Sequence, residues 1–83
     1  MPQREPETLD EWKDAMILAA AHLQIHAAIA YGFITGPEID VDRCEDIIER
    51  GRQRAGLEHW PPRHIVDEAA RSIVVGKVHP CAD

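Results

Sequence analysis

Apolar residues recur along the first third of the chain in alternating steps of three and four: Leu9, Trp12, Met16, Ala19, Leu23, His26, Ala30 and Phe33. That spacing traces one stripe along a helix running from Thr8 to about Tyr31. A second stripe, Leu18, His22, Ile25 and Ile29, lies on a neighbouring face, and with Ile17 it leaves the helix apolar around most of its girth. A helix of that kind is central and covered on two sides. Two shorter helices are expected to cover one side and a second copy of the chain the other. Thr8-Leu9-Asp10-Glu11 has the form of a capping box, in which the Thr8 hydroxyl and the Glu11 carboxylate each accept from the other's backbone N–H. Gly32 and then Gly36-Pro37 supply the stop.

The next periodic segment places Val41, Cys44, Ile47, Ile48 and Ala55 inward, with Asp46 and Arg50 as an i,i+4 pair outside. Asp40 and Asp42 can both cap this second helix, and Asp42 is favoured because Glu45 stands three residues on. Gly51 costs about 1 kcal/mol inside a helix relative to Ala, which suggests a close crossing against the alanine-rich face of the first helix. Gly56 ends the segment. After the connection Leu57 to Trp60, Pro61-Pro62 suits a helix start. A third helix follows from about Pro62 to Val75, with Ile65, Val66, Ala69, Ala70 and Ile73 inward, Asp67 and Arg71 paired outside, and Gly76 as its cap. The expected organisation is all-α: a flexible segment 1–7, a three-helix domain 8–76 with a long central first helix, and a flexible tail 77–83.

Size adds a constraint. A chain of 83 residues hides only about 60% of its unfolded surface, so its core is small unless a disulfide, a metal or a second copy helps. Two widely spaced cysteines do not make a disulfide framework. Charge is unbalanced, at 15 acidic against 9 basic residues and a net −6, and residues 1–46 hold ten acids and three bases while 47–83 hold five and six. Phosphate neutralisation needs the opposite balance. The polar, acidic start lacks the pattern of a secretory signal, which points to the cytoplasm. The apolar stretch Ala15 to Ile34 contains His22, Gln24 and His26 and no flanking basic cluster, so it reads as a buried helix and not a membrane span.

Candidate chemistry is sparse. His22 and His26 have the i,i+4 spacing that lets two imidazoles meet one metal, and Cys44, His79 and Cys81 are the residues that could complete a site. Without a close Cys or His pair on the other side, the expectation is no metal and no cofactor: one histidine hydrogen-bonded at the packing seam, the other near the surface. Ser72 has no nucleophile motif around it, Cys44 suits an apolar filler, and the glycines match no phosphate-binding loop, so no catalytic residue is expected. Arg50, Arg52, Arg54, Arg63 and Arg71 raise a helix-turn-helix reading. The connection carrying Gly56, Pro61 and Pro62 is too long for that turn, and Asp67 and Glu68 on the third helix would repel phosphates.

The strongest feature is Glu38, Asp40, Asp42, Glu45, Asp46 and Glu49, six acids in twelve residues. First-turn carboxylates suit a helix dipole, but as a group they form a surface suited to a basic partner. Trp60, held in His59-Trp60-Pro61-Pro62, either covers the core or joins that surface. The expectation is therefore a small acidic helical module binding a protein with a basic surface through Asp40, Asp42, Glu45, Asp46, Glu49 and Trp60. Its most concrete form is a regulator or inhibitor of the kind phages and mobile elements encode, working as a homodimer through the first helix. A small DNA-binding regulator and a metal-binding helical module are the alternatives.

Overall fold

The computed structural model describes residues 5–78, with side chains described for residues 5–74. Three helices make up the described chain: α1 (Leu9–Ala30), α2 (Val41–Ala55) and α3 (Arg63–Val78). It is a small all-α domain with the long first helix at its centre. His79 and Cys81, and the tail expected beyond Val78, lie outside the described residues.

The predicted capping box forms at the start of α1. The Glu11 N–H donates to Thr8 Oγ1 at 3.1 Å, and Glu11 Oε1 accepts from the N–H groups of Thr8 at 3.1 Å and Glu7 at 2.8 Å. At the far end Gly32 adopts a left-handed φ of 82°. Its N–H donates to the Ile29 carbonyl at 3.0 Å and the Phe33 N–H to the Ala28 carbonyl at 2.9 Å, the two bonds of a Schellman motif. Ending the helix there also ends the apolar stripe. His26, Ala30 and Phe33, expected to continue it, are exposed.

The two shorter helices take opposite faces of α1, where the sequence pattern suggested that they would share one. Trp12, Met16 and Ala19 are buried on the side of α2, and Ala21 and Ile25 are buried with Ala70 of α3. Trp12 and Ala21 are nine residues apart, about two and a half turns, so they point in opposite directions. This explains why α1 carries little net amphipathicity despite its apolar composition, while α2, packed on one side only, is strongly amphipathic. Both covers of α1 thus come from its own chain. Among the described residues α2 and α3 do not pack on each other.

Gly51 marks the closest approach of α2 to α1. A Cβ built there would stand 2.6 Å from Met16 Sδ and 2.7 Å from Met16 Cγ. The close crossing expected at this glycine is present, but its partner is a methionine and not an alanine. Because Gly51 meets Met16 and Arg54 lies over Trp12, α2 returns antiparallel to α1. Gly56, at a φ of 66°, ends it beside the start of α1, so α3 begins there and runs in the same direction as α1. Ile34 and Ile39, in the segment between α1 and α2, pack on the Ala21–Ile25–Ala70 cluster together with Ile73 and Val74.

Two local expectations change. Asp40, not Asp42, caps α2: its Oδ1 accepts from the Arg43 N–H at 3.1 Å. Ile39, one residue earlier, is packed against the core cluster, and that anchor fixes where the helix can begin. Gly76 does not cap α3, which continues through it to Val78. An interior glycine costs a helix only about 1 kcal/mol, which continued backbone hydrogen bonding can outweigh.

Candidate functional site

The inner face of α2 is held by apolar packing of Val41, Cys44, Ile47, Ile48 and Ala55, all half-buried. That fixes what faces outward. Asp42, Glu45, Asp46 and Glu49 are separated by three, four and seven residues, the spacing of one helix face, and all four are exposed. Glu38 and Asp40 are exposed just before them. Asp46 meets Arg50, with Oδ2 accepting from Nη1 at 3.4 Å. Asp40 is engaged as the cap. Asp42, Glu45 and Glu49 make no ion pair with any described residue.

The arginines of α2 are engaged elsewhere. Arg50 also pairs with Glu5, from the segment before α1. The guanidinium carbons of Arg50 and Arg54 stand 5.7 and 5.5 Å from the centre of the Trp12 ring, within cation–π range. Arg52 Nε donates to the Trp60 carbonyl at 2.9 Å. The basic run therefore ties α2 to the start of α1 and to the α2–α3 connection, and the outward face keeps its acidic character. Asp67 and Arg71, the second expected pair, form no ion pair among the described residues.

Trp60 turns toward α1. Its indole Nε1 donates to the Lys13 carbonyl at 3.3 Å, and Lys13 Nζ lies 5.4 Å from its ring centre. The side chain is half-buried at the opposite end of α2 from Asp40 and Asp42, and so is not gathered with those acids.

His22 Nδ1 lies 2.9 Å from the Leu18 carbonyl, which can only accept, so this nitrogen donates to it. His26 is exposed. Among the described residues no three His, Cys, Asp or Glu side chains are placed to hold a metal, and His79 and Cys81 fall outside them. Cys44 is half-buried, and its thiol is pushed up, first by burial and then by the carboxylates of Asp40 and Glu45, against the lowering effect of Arg43. A reactive cysteine needs the reverse environment. Ser72 is exposed on α3. No described helix is long and apolar enough to cross a membrane.

Sequence reading missed a second surface feature. Tyr31 and Phe33, on either side of Gly32, are 79% and 80% exposed, with ring centres 6.3 Å apart. Beside them Ile34 helps to line an apolar cleft of about 310 Å³, whose other walls come from Ile25, Ile39, Ile73 and Val74, with His22 and Thr35 as its polar members. The available signal was Gly32 itself: once it ends α1, Phe33 can no longer sit on the helix stripe.

No protein-family model, curated protein or solved structure matches this chain.

Proposed function

We propose that this domain is a small acidic binding module that docks on a basic surface of a larger protein. The observation that carries the reading is the outward face of α2, where Asp42, Glu45 and Glu49 are exposed and unpaired among the described residues while Arg50, Arg52 and Arg54 each have a partner outside that trio, on Glu5, the Trp60 carbonyl and the Trp12 ring respectively. Unpaired carboxylates on a rigid helix present fixed negative charge, which favours fast, salt-sensitive association with a cationic patch. Trp60 leaves the docking surface in this reading, since its indole serves α1. A regulator or inhibitor acting by occupying a partner's surface requires no more than this, and its raised thiol and scattered histidines suit binding better than catalysis.

The engaged arginines also bear on the DNA-binding alternative, since Arg50, Arg52 and Arg54 each have an intramolecular partner. A helix-turn-helix packs its consecutive helices on one another, and α2 and α3 instead flank α1.

The test is affinity capture from cell extract with wild-type protein and with an Asp42→Lys, Glu45→Lys, Glu49→Lys variant of matched helicity. The expected result is a basic protein retained by wild type, eluted by rising salt and absent from the variant. Identical retention by both proteins would refute the reading.

A further inference from the structure

We propose that two copies of this chain associate through the end of α1, each inserting Phe33, with Tyr31 beside it, into the apolar cleft of the other.

The projecting half of this interface is held ready. Two Schellman hydrogen bonds fix the backbone of Gly32 and Phe33 to the last turn of α1, so the exposed ring leaves from a defined position and little ordering remains to be done on docking. Two neighbouring aromatic rings, each about four-fifths exposed, form a patch and not a scattered surface residue. The receiving half is on the same chain. An apolar cavity of about 150 Å³ suffices to hold a benzene molecule, and the cleft offers about 310 Å³ between Ile34, Ile39, Ile73 and Val74. Phe33 immediately precedes Ile34, which lines the recess, so the projecting group and the recess lie at the same end of α1. A two-fold interface requires that arrangement, because each copy must present both the projecting group and the recess in one patch.

Having both ring and recess on one chain selects a second copy as the occupant, and charge permits it at this end. No Asp, Glu, Lys or Arg occurs between Asp14 and Glu38 in a chain that is 29% charged. Two copies each carrying a net −6 can meet at this end with few opposed carboxylates, whereas an approach through α2 would set acid against acid. Area is adequate as well. A buried aromatic side chain covers about 150–250 Å², so four rings at this exposure contribute about 500–800 Å² of the roughly 1,200 Å² a stable interface needs. The walls of two clefts can supply the remainder.

The test is sedimentation equilibrium of the full chain across the micromolar range. Wild type is expected to dimerise, and more tightly as salt rises, because Glu38 and Asp40 flank the patch and their repulsion is screened. Binding through the acidic face of α2 would instead weaken with salt, so this proposal and the proposed function can fail separately. Phe33→Ala should raise the dimer dissociation constant more than about tenfold, as loss of a buried aromatic anchor does, with unchanged far-UV circular dichroism. Thr35→Trp, which fills the recess from an exposed position, should weaken the dimer too, and Gln53→Glu, exposed near the far end of α2, should not. A wild type that stays monomeric overturns the proposal. So does a dimer insensitive to Phe33→Ala or to Thr35→Trp, or one dissolved by Gln53→Glu.

Discussion

Substituting Gly51 by alanine separates two effects of opposite sign. In an unobstructed helix the change would stabilise, since alanine recovers about 1 kcal/mol of helix propensity. Here the new Cβ would stand 2.6 Å from Met16 Sδ, 2.7 Å from Cγ and 3.0 Å from Cε. The outer two atoms could swing away by rotation about the terminal bonds of a flexible side chain. Cγ cannot, because it is only two bonds from the α1 backbone, and Met16 is 0% exposed with no solvent to move into. The helices must therefore separate slightly or Met16 must leave its rotamer. Overpacking of this kind costs about 1–3 kcal/mol, so after the propensity gain Gly51→Ala should destabilise by about 1 kcal/mol. In thermal unfolding followed by circular dichroism that is a fall in Tm of about 4–8 °C for a domain this size. The double-mutant cycle with Met16→Ala makes the cause visible. Met16→Ala alone should cost about 2–5 kcal/mol, and in its background Gly51→Ala should turn stabilising, with a coupling of about 2 kcal/mol. An osmolyte added equally to all four proteins keeps the weakest of them folded. If Gly51→Ala raises the Tm in the wild-type background, α2 does not cross α1 at this distance and the packing argument is wrong.

Four further outcomes follow from local geometry. Asp40→Ala should cost about 1 kcal/mol by loss of the α2 cap, while Asp42→Ala costs no more than about 0.5 kcal/mol; equal costs in urea unfolding would move the cap. Trp12→Ala should cost about 3–5 kcal/mol, enough to abolish cooperative melting in a domain of marginal stability. Trp60→Phe, which removes the Nε1 bond to the Lys13 carbonyl, should cost about 1 kcal/mol in the same assay, and a neutral result would mean that the indole is not engaged. Cys44 should alkylate more slowly in the native chain than in urea at a given pH, by peptide mapping, because the raised thiol keeps its proton; the linked stability is fully present below the unfolded thiol pKa of about 8.5 and is lost as pH rises through the higher folded value. Equal alkylation rates in the two states would contradict the raised thiol.

Much of the fold is legible in the chain because its strongest signals are local. The Thr8–Glu11 box, Gly32, Gly56 and the Pro61-Pro62 start act within a turn of themselves, and each sets a helix boundary close to where periodicity placed it. The misreadings share a cause, which is that they depend on a contact between distant residues. Asp40 and Asp42 can both cap, and Glu45 locally favours Asp42, but Ile39 packing on Ala21, Ile25 and Ala70 accompanies the choice of Asp40. The apolar spacing continues past His26, and nothing local says that α2 and α3 lie on opposite sides of α1. The acidic face was visible because it is contiguous in sequence. Its complement was not: Arg50 meeting Glu5, and Arg54 covering Trp12, are pairings across forty residues or more.

Those distant pairings decide the character of the surface. Counted along the sequence, α2 is evenly balanced, with Asp42, Glu45, Asp46 and Glu49 against Arg43, Arg50, Arg52 and Arg54. In space two arginines leave that balance. Arg50 and Arg54 lean over the buried Trp12, while Arg43 stays exposed beside Asp42 and the acids stand outward. A helix with no net charge thereby acquires an acidic face, at the cost of ordering long side chains that the tryptophan and the Trp60 carbonyl help to offset. Removing the arginines' inner partners should then act at a distance. Trp12→Phe, which keeps an aromatic ring but weakens the cation–π contact, should leave α2 folded yet release Arg54 toward the carboxylates, Arg50 being already held by Asp46 and Glu5, and lower affinity for a cationic probe such as polylysine. Titration by calorimetry at low salt would read that loss. Unchanged affinity in a folded Trp12→Phe protein would mean that the acidic face does not depend on where the arginines are held.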